Sequence, residues 1–102
     1  MWNIEELNGY RPITTFWMDF DIAERFGSAA IKDTFNRAFS EWKTDYKYLT
    51  ELVMVLNHKS WRFMDTNNDY CQLYADLYYK AHDYALKHLK GLELKYYFEI
   101  TD

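Results

Sequence analysis

From Ser28 to Met64 the chain runs without a glycine or a proline and carries one apolar stripe. Ile31, Phe35, Ala38, Phe39, Trp42, Tyr46, Leu49, Val53, Leu56, Ser60 and Phe63 recur along it at steps of three and four, the helical period. Lys32, Asp33, Asn36, Arg37, Lys43, Lys47, Glu51 and Arg62 fall largely outside that sector, so the stripe reads as a core face and the rest as a solvated one. One unbroken helix over this stretch would be a rod of roughly 55 Å. A compact chain of this size is only about 35 Å across. Thr44 and Asp45 offer a place for a break, because their side chains can accept from the free N–H groups of a helix starting at Tyr46. No capping-box Glu or Gln follows and the stripe keeps its phase, so a continuous rod remains the alternative. Its Ser28–Trp42 half would then project beyond its neighbours and call for a second copy of the chain as cover.

The flanking segments are read in the same way. Met1 to Ile13, with Gly9 and Pro12, is an irregular lead-in that places Trp2, Ile4 and Leu7 against the bundle. A short helix follows, capped by Thr14 or Thr15, with Phe16, Phe20, Ala23 and Phe26 facing inward, and Gly27 ends it as a left-handed residue. Ser28 then caps the central stretch. Asp65-Thr66-Asn67-Asn68-Asp69 is a polar turn, and Asp69 with Gln72 has capping spacing for a helix from Tyr70 to Lys90. That helix aligns Tyr70, Leu73, Tyr74, Leu77, Ala81, Tyr84, Ala85 and His88 or Leu89, places Lys87, His88 and Lys90 at its negative end, and stops at Gly91. In the tail, Leu92, Leu94, Tyr96, Phe98 and Ile100 alternate with more polar positions, which is strand period. An extended tail lying on the bundle is the preferred reading, with a two-stranded contact to Tyr10–Thr15 or a last helix as alternatives. The expectation is a single all-α domain over residues 1–102. It is a three- to four-helix bundle with a helical hairpin, about 46–64 and 70–90, and an extended or short helical C-terminal tail.

Composition narrows the function classes. Aromatic residues make up 21% of the chain and hydrophobic residues 49%, which excludes disorder and leaves more Tyr and Trp than one small core readily takes. A net charge of −4 without a basic block argues against direct nucleic-acid binding. The single cysteine, Cys71, forbids an internal disulfide and fits a packed thiol in a reducing cytoplasm. The N-terminus lacks the pattern of a signal peptide, and the longest aliphatic run, Leu52 to Leu56, is too short to span a bilayer. The expected location is therefore cytoplasmic, without a membrane.

Candidate chemistry is sparse. Asp65, Asn67, Asp69 and Asp76 fit positions 1, 3, 5 and 12 of a calcium loop, yet Tyr70 occupies the position that needs glycine and Asp76 is too short for the bidentate role. His58, His82-Asp83 and Asp102 resemble the H…HD…D pattern of metal-dependent phosphohydrolases, but His82 and Asp83 point about 100° apart on a helix, against convergence on one ion. Asp21 and Glu24 are read as a solvated acidic face near Arg25. No catalytic residue, metal ligand or cofactor site is assigned.

Leu56-Asn57, Trp61, Leu73-Tyr74, Leu77, Tyr84-Ala85-Leu86, Leu89-Lys90-Gly91, Tyr97 and Thr101-Asp102 resemble small uncharacterised proteins of bacterial phages and conjugative elements. The likeness spans roughly the C-terminal half and implies no activity to carry over. Ala81, Tyr84 and Ala85 also look like one tetratricopeptide unit, without the second copy that such an array requires. The leading expectation is a small, self-associating protein-interaction module that meets a protein partner or forms a homodimer. Its contact residues are Trp42, Tyr46, Trp61, Tyr78 and Tyr79. The alternatives are an accessory or anti-defence factor of a mobile element acting on a nucleic-acid-handling complex, and a metal-dependent hydrolase using His58, His82 and Asp83.

Overall fold

Local chemistry sets where each helix starts and stops. In the computed structural model, which describes residues 15–101, Phe16–Glu24 forms α1, Ser28–Trp42 α2, Tyr46–Arg62 α3, Asn68–His88 α4 and Leu92–Thr101 α5. No strand occurs among the described residues. The lead-in with Trp2, Ile4 and Leu7, the strand candidate before Thr15, and Asp102 lie outside them.

The central stretch breaks where its cap residues stand. Asp45 is the N-cap of α3, with Oδ1 accepting from the Lys47 N–H at 3.0 Å and the Tyr48 N–H at 3.3 Å. These bonds satisfy two of the donors that a helix start leaves free. The continuous-rod alternative is thereby excluded, in keeping with a longest dimension of 36 Å.

Other boundaries depart from expectation. Gly27, with φ 109° and ψ −175°, occupies a region open essentially to glycine and is itself the N-cap of α2; Ser28 is the first helical residue rather than the cap. Phe26 is turned outward and 78% exposed, because α1 has already ended and the chain is swinging into the Gly27 corner. Asn67, not Asp69, caps α4, its Oδ1 accepting from the Tyr70 N–H at 3.1 Å. The hydrogen-bonded helices are also shorter at their C-terminal ends than the period alone predicts, α3 closing at Arg62 and α4 at His88.

The tail is the main correction. Residues 92–101 form the last helix that stood as an alternative, not the preferred extended tail, and the residue they bury is Tyr97, which the alternating pattern places on the polar side. Gly91, at φ 61°, provides the left-handed turn that redirects the chain into α5. With Leu94 partly buried beside Tyr97, a three-residue step supplies the packed face. Leu92, first in the alternating series, is 83% exposed.

The core gathers on α3, which packs against each of the other four helices. Leu49, Leu52, Val53, Val55 and Leu56 are fully enclosed, joined by Phe16, Phe20 and Ala23 of α1, Ile31 and Phe35 of α2, Tyr74, Leu77, Ala81 and Ala85 of α4, and Tyr97 of α5. A helix surrounded in this way buries more than one stripe. Glu51, expected on a solvated face, is accordingly buried. The broadest interface is that between α3 and α4. The Ser60 hydroxyl donates to the Cys71 carbonyl at 3.0 Å, and Phe63 stacks on Tyr74 with centroids 6.0 Å apart.

Candidate functional site

Lys59 is the most unusual residue of the core. Its position follows from helical phase: it lies three, four and seven residues beyond Leu56, Val55 and Leu52, on a face already committed to the interior. A cation there requires compensation, since removing it from water without partners is prohibitive. α1 supplies that compensation. The ammonium contacts Asp21 Oδ1, lies 3.0 Å from Glu24 Oε2, and sits 5.7 Å from the ring centroid of Trp17. Three residues apart on one helix, Asp21 and Glu24 present both carboxylates to the same point.

α4 closes the cluster from the other side. Tyr74, itself fully buried, donates its hydroxyl to Glu24 Oε2 at 2.6 Å, and the Tyr70 hydroxyl donates to the Glu24 carbonyl oxygen at 3.2 Å. Burial first, and then the bond to Glu24, push the Tyr74 phenol far above its ordinary range, which keeps it protonated as the donor to Glu24. At the rim, Arg62 Nη1 lies 3.8 Å from Asp21. Among the described residues no buried side-chain nitrogen or oxygen lacks a partner. The cluster is thus a closed ionic clamp that ties α1 to α3 and α4. The solvated acidic face expected for Asp21 and Glu24 is corrected for Glu24, whose side chain is only 14% exposed and is turned onto Lys59, whereas Asp21 keeps 49% of its side chain in solvent.

The five aromatic candidates divide into two groups. Trp42 stacks on Tyr48 with centroids 4.2 Å apart, and Tyr46 meets Tyr96 edge-on at 5.3 Å; both are half-buried at the margin of the core. Trp61, Tyr78 and Tyr79 instead come together. With Asn57, Ser60, Met64 and Ala75 they line a groove of about 300 Å³ between α3 and α4. Trp61 is 65% and Tyr79 60% exposed, while Tyr78 is half-buried against the ring of His82 at 5.4 Å. Trp61 stands two residues from Lys59 and so falls on the opposite side of α3.

The candidate chemical residues are held in separate settings. His58 packs against Trp17 of α1 at 5.8 Å. His82 uses Nδ1 on the Tyr97 hydroxyl and stacks on the Tyr97 ring at 5.7 Å. Burial raises the Tyr97 phenol, with Tyr78 and Asp83 adding to the shift, and the hydrogen bond between its hydroxyl and His82 Nδ1 anchors α5 on α4. Among the described residues no three His, Cys, Asp or Glu side chains are grouped to hold a metal ion. In the loop that resembles a calcium site, Asn67 is the helix cap and Asp76 accepts from Gln72 Nε2 at 2.9 Å. Cys71 is partly buried beside Ser60, with Sγ 3.7 Å from its hydroxyl. No helix among the described residues is long and apolar enough to cross a membrane.

Reading by residue type missed Lys59. Its signal was nonetheless present, as a lysine in phase with Leu52, Val55 and Leu56 and a carboxylate pair at i and i+3 on the preceding short helix. No family model matches the chain, and neither a curated protein nor a solved structure does.

Proposed function

We propose that the chain is a small protein-interaction module that self-associates through the outer face of an α3–α4 helical hairpin. The observation that carries this reading is the groove that gathers Trp61, Tyr79 and Met64 in exposed positions around Tyr78. Tryptophan and tyrosine contribute a disproportionate share of interface energy, because their large rigid surfaces lose little entropy on contact. Such residues left exposed together on one face are a ready contact patch. The pairing of Ser60 with Cys71, and of Asn57 and Ser60 with Ala75 and Tyr78 across the groove, supports the antiparallel course of the two helices. A two-fold arrangement of two such faces would set Trp61 of each copy against the groove of the other.

Light scattering across a concentration series tests the proposal. The expected result is a reversible dimer for the native chain and a monomer for Trp61→Ala and Tyr79→Ala at the same concentrations. A native chain that stays monomeric throughout the series refutes self-association.

A further inference from the structure

A second surface lies away from that groove, and its chemistry is different. α1 and α2 turn on Gly27 and enclose between them a cleft of about 500 Å³. Small side chains, Ala23, Ala30, Thr34 and Ala38, leave room along its floor between the rings of Phe16 and Trp42. Its rim keeps two large apolar side chains in solvent, Phe26 at 78% and Ile22 at 46% exposure.

The charged lining is unbalanced. Asp19, Asp33 and Glu41 stand along the cleft against one cation, Arg37, whose Nε lies 3.5 Å from Asp33. The occupant that suits this lining brings apolar side chains for the floor and for Phe26, and positive charge for the carboxylates. Nucleic acid has the wrong sign. A second copy of this chain carries net charge −4. The N-terminal residues of the chain itself contain Glu5 and Glu6 against Arg11 and do not supply the cationic excess either. A helix with lysine or arginine on the flanks of an apolar stripe meets both requirements, laying the stripe into the groove as amphipathic helices do.

We propose that the α1–α2 cleft is the docking site for a basic, amphipathic helical segment of a different protein. The proposal goes beyond self-association at the α3–α4 face and does not depend on it.

The test uses the full chain with labelled alanine methyl groups and a synthetic leucine–lysine peptide of about 18 residues, long enough to form a helix on contact. The peptide is expected to shift the Ala30 and Ala38 methyl resonances in a saturable, salt-sensitive manner. Its leucine–glutamate counterpart should leave them in place. Asp19→Lys combined with Glu41→Lys should weaken binding about tenfold or more with the far-ultraviolet helix signal retained. Ala38→Met, which fills the floor without altering charge, should weaken it independently. Undiminished binding by both variants overturns the proposal, as does equal binding of the acidic peptide. So do shifts centred on the Trp61–Tyr79 groove. Nuclear Overhauser contacts from residues 1–14 to Ala30 and Ala38 in the free chain would assign the cleft to the chain's own N-terminal segment and refute the proposal. Concentration-dependent shifts of those methyl groups in the free chain would assign it to a second copy, with the same consequence.

Discussion

Lys59 and Trp61 stand two positions apart on α3, and each occupies the environment that residue type alone would give the other. The lysine is wholly enclosed, whereas the tryptophan is 65% exposed. Two helical steps separate their directions by about 200°, so one faces α1 and α4 within the core and the other faces outward. Helical phase determined burial here, and the chemistry around each residue adjusted to it. On the inner side, two carboxylates and a phenol gather round the ammonium. On the outer side, no adjustment is needed, and a large aromatic surface is left for contact. The inner region fixes how the bundle is assembled; the outer one is free to meet something else.

Breaking the inner region should have the largest effect. Lys59→Ala leaves Glu24 and Tyr74 without their cation and should cost about 3–5 kcal/mol in urea unfolding, the range for one partner removed from a buried pair. Replacing the charged set together, as Lys59→Met with Asp21→Asn and Glu24→Gln, should recover most of that loss, because no uncompensated charge remains inside. A triple variant as unstable as Lys59→Ala would show that the clamp contributes more than mutual neutralisation.

Alkaline unfolding sharpens the same contrast. Tyr74 and Tyr97 have phenols raised from the ordinary 10.0. Below that value both the folded and the unfolded chain hold these protons, and the full stability is present. Above it the unfolded chain releases them first, so stability falls as pH rises, by at most about 1.4 kcal/mol per pH unit for each group. Tyr74→Phe combined with Tyr97→Phe should flatten that decline in stability measured between pH 9.5 and about 11.5. A decline unchanged in the double variant would refute this origin.

The smallest effect belongs to the outer side. Trp61→Ala and Tyr79→Ala should alter the unfolding free energy of the monomer by no more than about 0.5 kcal/mol. The same substitutions should still abolish the proposed self-association. A loss of stability comparable to that of Lys59→Ala would make Trp61 a core residue and remove the contrast.

The parts of the fold legible in the sequence were those decided locally. Asp45 caps α3 through its own side chain, and the burial of Phe16, Phe20, Ile31, Phe35 and Tyr74 follows from period alone. The helical tail stood only as the alternative to an extended one, because the alternation of Leu92, Leu94, Tyr96, Phe98 and Ile100 has strand period, whereas packing against α3 and α4 selects Tyr97. Glu51 and Lys59 were misjudged or missed for a related reason. A stripe drawn on one helix does not show how many neighbours that helix will have, and α3 has four. The aromatic candidates were identified by type, but their division into core margin and groove depended on tertiary contacts such as Trp42 on Tyr48.

The clamp also has a bearing on the order in which the chain is made. α1 is synthesised well before its partners: Asp21 precedes Lys59 by 38 residues, and Glu24 precedes Tyr74 by 50. At about 5–20 residues per second, Glu24 exists for roughly 3–10 s before Tyr74 is added. Until Lys59 is added, 35 residues after Glu24, the two carboxylates lack the cation they meet in the folded chain, and until Tyr74 is added Phe20 lacks the ring it packs against. Before Lys59 is made the two carboxylates are uncompensated charges beside Phe16 and Phe20, which favours hydration of that stretch; in the folded chain Glu24 turns inward while Asp21 stays half in solvent.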